Sequence, residues 1–345
     1  MFTGSYDSQD VAFLIDPITV NGIGPQLQYA AEIADHRPLE GRYGELIAEA
    51  VVRNGHLVAR DVTRVARYLA ATHKGDIVLA SLVCAGTPVG VLIHHALAAL
   101  GRKSYHYAIS TVRNRGLDYA ALDYILERHA AHSVVFVDGW TGKGFIASEI
   151  AESIEKYNHI RNRNLGSDLV VLSDLAGVAT FAGSADDYLI PSAMLRATAN
   201  GLTGPSMLNK QADSQFDACL YFPVLSAQDR SKWLVKALLP YVHAAINEPQ
   251  TFGALGYSKE SVQKRSGEFV RSAIEKYHLQ SRNWVKPGIG EAARALLTRK
   301  VPMTLLLKDR FDADLEHLVY LAQYKDCRIE YDPTLAYRAA VLLLA

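Results

Sequence analysis

Cysteine is scarce in this chain: three in 345 residues, at Cys84, Cys219 and Cys327. No two of them make a C-x-x-C pair, so neither a disulfide framework nor a zinc knuckle is expected, and the usage suits a reducing, cytoplasmic compartment. Net charge is missing as well, since 36 Lys and Arg balance 36 Asp and Glu. A global positive field that would gather nucleic acid is thereby excluded, although a local basic patch is not. No apolar run approaches the roughly 18 residues of a membrane span. The N-terminus lacks the positive charge and long apolar stretch of a secretion signal: Asp7, Asp10 and Asp16 surround only the short run Val11–Ile15. No membrane partner is expected.

What is present is enough for a full core. Hydrophobic residues make up 49% and charged residues 21%, over a length that suits about two domains. From about Asn54 to Leu172 helices and strands alternate. Val58, Val62, Val65 and Leu69 share one helical face, Asp76–Val83 reads as a buried strand, and a helix follows with Val89, Leu92, Ala96 and Leu100 on one side. Tyr105–Thr111 is the next strand, Leu122, Ile125 and Leu126 mark a helix, and Val134–Val137 is a strand. Ile146, Ile150, Ile154 and Tyr157 mark a further helix, and Leu169–Leu172 a further strand. Crossovers of this length imply an α/β fold with a mainly parallel, Rossmann-like sheet, whose ligands sit at the carboxyl ends of the strands. After a looser stretch between about 176 and 249, Glu260–Gln280 reads as a helical connector. A small α/β unit begins near Lys286: a helix through Leu297, a strand at Thr304–Leu307, a helix at Leu315–Gln323, a strand at Arg328–Tyr331 and a closing helix.

Two small-residue turns follow strands and precede helices, which places both at the same sheet edge. In the first, Cys84 is followed by Ala85, Gly86, Thr87 and Pro88. The second runs Asp138, Gly139, Trp140, Thr141, Gly142, Lys143, Gly144. Free amides at a helix start attract anions, and glycine lets backbone come close to a phosphate. On this reading the Thr141 hydroxyl adds a donor, Asp138 accepts from ribose hydroxyls, and Trp140 packs over the turn. The Walker A spacing is absent. Arg113 and Arg115 lie between the two turns and suit an anionic leaving group.

The second turn resembles the phosphoribosyl pyrophosphate loop of type I phosphoribosyltransferases, with Gly139 where that family has a second acid. The resemblance implies a transferase that takes phosphoribosyl pyrophosphate, a base or nucleoside acceptor, and Mg²⁺ carried on the substrate. Catalysis would use Asp138, Arg113 and Arg115, and the leaving diphosphate would meet Cys84, Ala85, Gly86 and Thr87. Together with Leu189–Leu202, the two turns resemble a branch linked to tellurite resistance and stress response, whose members are also labelled cysteine proteases of the StiP family. That branch carries a C-terminal Pelota-type RNA-binding domain. The organisation implied is 1–255 for the transferase-like domain, with its core at about 54–175 and a hood from 1–50 and 176–255. A connector at 256–284 and the Pelota-like domain at 285–345 complete it. Gly288–Leu296 resembles the Pelota helix start, which implies RNA contact through Glu291 and Arg294, with Arg299 and Lys300 near phosphates. Gly290 stands where that family has a base-reading Asn. A homodimer is compatible with all of this.

Two other readings stand beside the transferase. In one, Cys84 is the nucleophile of a cysteine peptidase, its thiolate favoured by the helix start; of the histidines that could serve as its base, His94 and His95, two to three turns along the next helix, are poorly placed, and His106 on the next strand stays open. In the other, the chain is a catalytically silent phosphosugar or RNA-binding module.

Overall fold

The computed structural model describes residues 7–19, 41–83, 85–112, 116–195, 203–207, 216–221, 229–248, 257–299 and 301–344. Its main sheet has seven strands: β1 (Ala12–Leu14), β3 (Ile77–Leu82), β4 (Ser104–Ile109), β7 (Val134–Val137), β8 (Trp140–Thr141), β9 (Leu169–Asp174) and β10 (Phe181–Ser184). Every pairing in it is parallel, in the order β1-β4-β3-β7-β9-β10 with β8 also on β9. The α/β fold with a mainly parallel sheet is as expected from the alternation. Val11–Ile15, read from sequence only as a short apolar run, supplies the edge strand β1.

Burial on both faces explains why the central strands are apolar throughout rather than alternating. Ile77, Leu79, Val135, Val137, Val170 and Leu172 enter one core, while Val78, Ala80, Val134, Phe136, Leu169 and Val171 enter the other. The first face carries α1 (Arg42–Thr72), α2 (Gly86–Ala99) and α5 (Ser231–Asn247). The second carries α3 (Tyr119–Leu126) and α4 (Phe145–Arg161). Helix α1 starts well before the face read at Val58, because Tyr43, Leu46, Ile47, Ala50 and Val51 continue the same buried stripe. Two smaller sheets lie outside: β11 (Thr203–Met207), β12 (Ala218–Tyr221) and β2 (Asp16–Thr19) form one, and β5 (Thr111–Val112) pairs with β6 (Gly116–Leu117) in the other.

After α6 (Lys259–Lys276), the C-terminal unit contains β13 (Val285–Pro287), α7 (Ile289–Thr298), β14 (Met303–Leu307), α8 (Glu316–Tyr324), β15 (Arg328–Tyr331) and β16 (Ala339–Leu343), with sheet order β13-β16-β14-β15. The closing helix expected from sequence is a strand. Ala-Ala-Val-Leu-Leu is buried at all five positions and pairs antiparallel with both β13 and β14, so a central strand carries no polar residue to reveal its period. Helices α7 and α8 bury Ile289, Leu296, Leu318 and Leu321 in the same core as α1, so the C-terminal unit is packed directly on the first face of the main body.

Candidate active site

The strand order reverses between β3 and β7: from β3 the chain moves outward to β4, beyond which the earlier strand β1 lies, and from β7 it moves the other way to β9 and β10. In open α/β sheets the crevice at such a reversal is where ligands bind. The two turns singled out from sequence flank this crevice and touch. A Cβ built on Gly86 would strike the Val137 carbonyl oxygen, and one on Gly139 would lie 3.3 Å from the Ala85 methyl. Gly86 is glycine because a neighbouring main chain passes where a side chain would stand.

Asp138 is buried in this crevice, where it accepts the Gly139 N–H at 2.8 Å. Burial pushes its carboxyl up to about 6; the Gly139 amide and the Arg294 charge pull the other way, and Glu291 adds to the rise. A carboxyl in that range is a base at neutral pH and an acid just below it.

The rest of the second turn is tied down by internal bonds. Thr141 Oγ1 donates to Asp174 at 2.6 Å and accepts the Ala176 N–H at 2.9 Å, so the hydroxyl read as a phosphate donor serves the fold. Lys143 Nζ donates to the Arg282 and Val285 carbonyls at 2.9 and 3.0 Å, which directs its charge into the C-terminal unit. Gly144 adopts φ 87°, the left-handed conformation that favours glycine at a helix entry, and α4 begins at the next residue. Over Gly142 sits a carboxylate-bearing side chain: a Cβ there would lie 2.6 Å from Glu291 Cγ. An anion repels a phosphate, so this turn is not a bare amide cradle.

Glu291 arrives from the C-terminal unit, and the seam is reciprocal. Gly142 makes room for Glu291, while Gly290 makes room for the Trp140 indole. Asp187 accepts the Ile289 N–H at 2.9 Å and the Arg338 N–H at 2.8 Å, which caps the start of α7 with a carboxylate of the main body. Asp187–Leu195, the described part of the stretch Asp187–Leu208 that the resemblance assigns to a variable hood, is packed inward, with Tyr188–Ile190 and Pro191–Met194 buried. Asn54 donates to Asp314 at 2.7 Å farther along the seam.

The result is one cleft of about 220 Å³ with walls from both units: Ala85, Asp138 and Trp140–Gly144 on one side, Lys286, Glu291, Arg294 and Arg299 on the other. The structure therefore brings together Asp138, the second turn, Ala85, Glu291 and Arg294, which sequence reasoning had assigned to two separate sites. Gly86 and Thr87 open α2 beside it. Cys84, Arg113, Arg115 and Lys300 lie outside the described residues. What sequence reasoning missed is the seam itself, including Asp187; no local pattern marks it.

The histidines bear on the choice of base. His106 faces Leu79, three residues before the end of β3 and so about 10 Å below its rim. Its Nε2 is hydrogen-bonded to Ser81 Oγ and its Nδ1 meets the Asp10 carbonyl at 2.8 Å. Burial pushes this imidazole down to about 3. It is a core group, and the role of base left open for it does not fit its place. The Ser81–His106 pair is likewise sealed beneath Gly90, at which a Cβ would meet both side chains. His94 bonds Ser104 at 2.8 Å and His95 bonds Asp10 at 2.9 Å. Among the described residues no histidine lines the cleft. Cys327 is half-buried far along the C-terminal unit, and burial pushes its thiol up, away from the reactive thiolate.

Comparison with known proteins gives three findings. The family described as tellurite-like stress resistance cysteine protease StiP matches residues 4–239, and the PELOTA RNA binding domain matches residues 264–344. A protein of Acinetobacter baylyi named cysteine protease StiP is 35% identical, over 99% of this chain and 94% of its own length. No solved structure matches the chain. These findings overturn the phosphoribosyltransferase expectation: a family spanning most of the chain and a full-length relative carry the name of a hydrolase. The phosphoribosyl donor, its base or nucleoside acceptor and the Mg²⁺ carried with it rest on that reading alone. The placements of Thr141, Lys143 and Glu291 give the physical side of the correction. Among the described residues, no helix is long and apolar enough to cross a membrane.

Proposed function

The chain belongs to the StiP family of tellurite-like stress resistance cysteine proteases, and on that ground we propose that it is a cysteine peptidase whose nucleophile is Cys84. The observation that carries this reading is the pairing of a full-length cysteine protease relative with a cysteine covalently next to Ala85, a wall of the cleft. The start of α2 follows, where Gly86 and Thr87 amides have no acceptor within the helix. A helix start favours a thiolate and, one step later, an oxyanion.

Asp138 takes the part of the proton carrier. Its carboxylate accepts the Cys84 thiol proton, uphill by roughly 3 kcal/mol from an ordinary thiol before the helix start is counted. The sulfur then adds to the scissile carbonyl carbon, whose π electrons move to oxygen. When the tetrahedral centre collapses, the C–N bond breaks and Asp138 returns its proton to the leaving amine. Water, deprotonated by Asp138, cleaves the thioester and regenerates the thiol. Because the carboxyl sits near 6, hydrolysis should rise with pH through an acid limb near that value.

The test is hydrolysis of fluorescein-labelled casein by the full chain. Cys84→Ala should lose at least a thousandfold in rate and Cys327→Ala should keep wild-type turnover; casein cleavage that survives Cys84→Ala overturns the reading.

A second ligand is favoured by the match over 264–344. We propose that RNA meets the C-terminal unit through α7, with Arg294 contacting phosphate. Since Arg294 lines the cleft, RNA and peptide would then compete for it. RNA affinity unchanged in Arg294→Glu at low salt, where phosphate contacts count most, removes this second reading.

A further inference from the structure

The main body contributes Ala85 and Asp138 to the cleft, yet the cleft is incomplete without the C-terminal unit. Gly142 lies between two residues whose side chains are fixed in different units. Thr141 is held by Asp174 within the sheet, and Lys143 by the carbonyls of Arg282 and Val285 across the seam. Glu291 packs on the backbone between them, with Cγ 2.6 Å from where a Gly142 Cβ would be and Oε2 at 3.6 Å. One residue back along α7, Gly290 receives Trp140, two positions after Asp138. The strand end bearing Asp138 is thus gripped through Trp140 and Gly142 by successive residues of one helix. That helix is held in turn by Asp187 at its first amide.

We infer that Glu291 is a positioning residue for the peptidase reaction: its side chain, seated on Gly142, holds the turn that carries Asp138, so that the C-terminal unit is a working wall of the active site. The inference rests on the peptidase reading. Position and charge are both involved. The glutamate stem occupies the space above Gly142, and its carboxylate opposes ionisation of Asp138 while Arg294 favours it. A residue that packed the seam for stability alone would have the first effect without the second.

The experiment uses full-length chain and two readouts. One is casein turnover. The other needs no peptide substrate: the pH dependence of iodoacetamide alkylation at Cys84, followed by mass spectrometry of the Cys84 peptide. Glu291→Ala removes both stem and charge, and should lower casein turnover about tenfold and move the alkylation midpoint to lower pH. Glu291→Gln keeps the stem, so it should restore most of the lost turnover while leaving the midpoint low. Wild-type turnover and an unmoved midpoint in Glu291→Ala overturn the inference. So does loss of turnover in both variants with no movement of the midpoint, the signature of a packing role. Failure of the peptidase reading is separately visible, because the wild-type chain would then leave casein intact, or casein cleavage would persist in Cys84→Ala, whatever Glu291 does.

Discussion

Two junctions shape the cleft, and both are built on glycine. At the crevice between β3 and β7, glycine lets main chain meet main chain: Gly86 faces the Val137 carbonyl group and the Asp138 Cα. At the seam with the C-terminal unit, glycine receives side chains, Trp140 over Gly290 and Glu291 over Gly142. Backbone in a buried parallel sheet has nowhere to go, whereas a side chain has torsions that can yield. The first junction therefore sets the distance between the two turns, and the second is adjustable. A cleft with one fixed wall and one adjustable wall can keep Ala85 and Asp138 in register while admitting a ligand.

This comparison is broken most severely at Gly86. In Gly86→Ala the new methyl meets the Val137 oxygen, with its carbon 3.2 Å away and the Asp138 Cα at 3.3 Å, so β3 and β7 must separate. A loss on the order of 3 kcal/mol or more in urea stability is expected, with casein turnover abolished. Unchanged stability would show that the crevice is not fixed.

The next effect has the opposite sign. Asp138 has a folded value near 6, above its ordinary 3.8, so the fold binds more protons than the unfolded chain between those values. Stability contributed by the neutral carboxyl is present below about pH 4 and is lost as pH rises through 6. Asp138→Asn should therefore stabilise the protein by roughly 2–3 kcal/mol at pH 8 and by almost nothing at pH 4, while losing turnover. Urea midpoints at the two pH values check it, and equal gains at both would refute burial of an ionised group.

How far the sequence carried this site follows from the same contrast. The strand Val134–Val137, the alternation around it and the placement of both turns at one edge were legible, because each depends on residues close in sequence. The reason for the glycines was not. Gly139, Gly142 and Gly144 look like a phosphate cradle in isolation, but the occupant of Gly142 is a side chain 149 positions later, and nothing near residue 142 announces it. Likewise Gly290, read as the loss of a base-reading Asn, is the space in which Trp140 sits. His106 offered a base by order along the chain, and its register opposite Leu79 removes it.

The two seam glycines then sharpen the comparison among side chains. In Gly290→Ala the added methyl meets several atoms of a rigid indole that is 8% exposed, so α7 must lift. Alanine's better helix propensity offsets about 1 kcal/mol of that cost. A net loss of about 1–2 kcal/mol is expected, with Trp140 becoming more accessible to iodide quenching in a Trp233→Phe, Trp284→Phe background.

Gly142→Ala asks the same question of a flexible neighbour. Its methyl would meet Glu291 at Cγ, whose position a single torsion, χ1, sets, so a rotamer change can clear the contact without moving α7. The stability cost should stay under about 1 kcal/mol, and iodide quenching of Trp140 should match the wild type, while casein turnover falls modestly because the stem no longer rests on the turn. The order matters more than either value. If Gly142→Ala costs as much as Gly290→Ala and exposes Trp140 equally, Glu291 is as immovable as the indole, and the seam is a second fixed wall rather than an adjustable one.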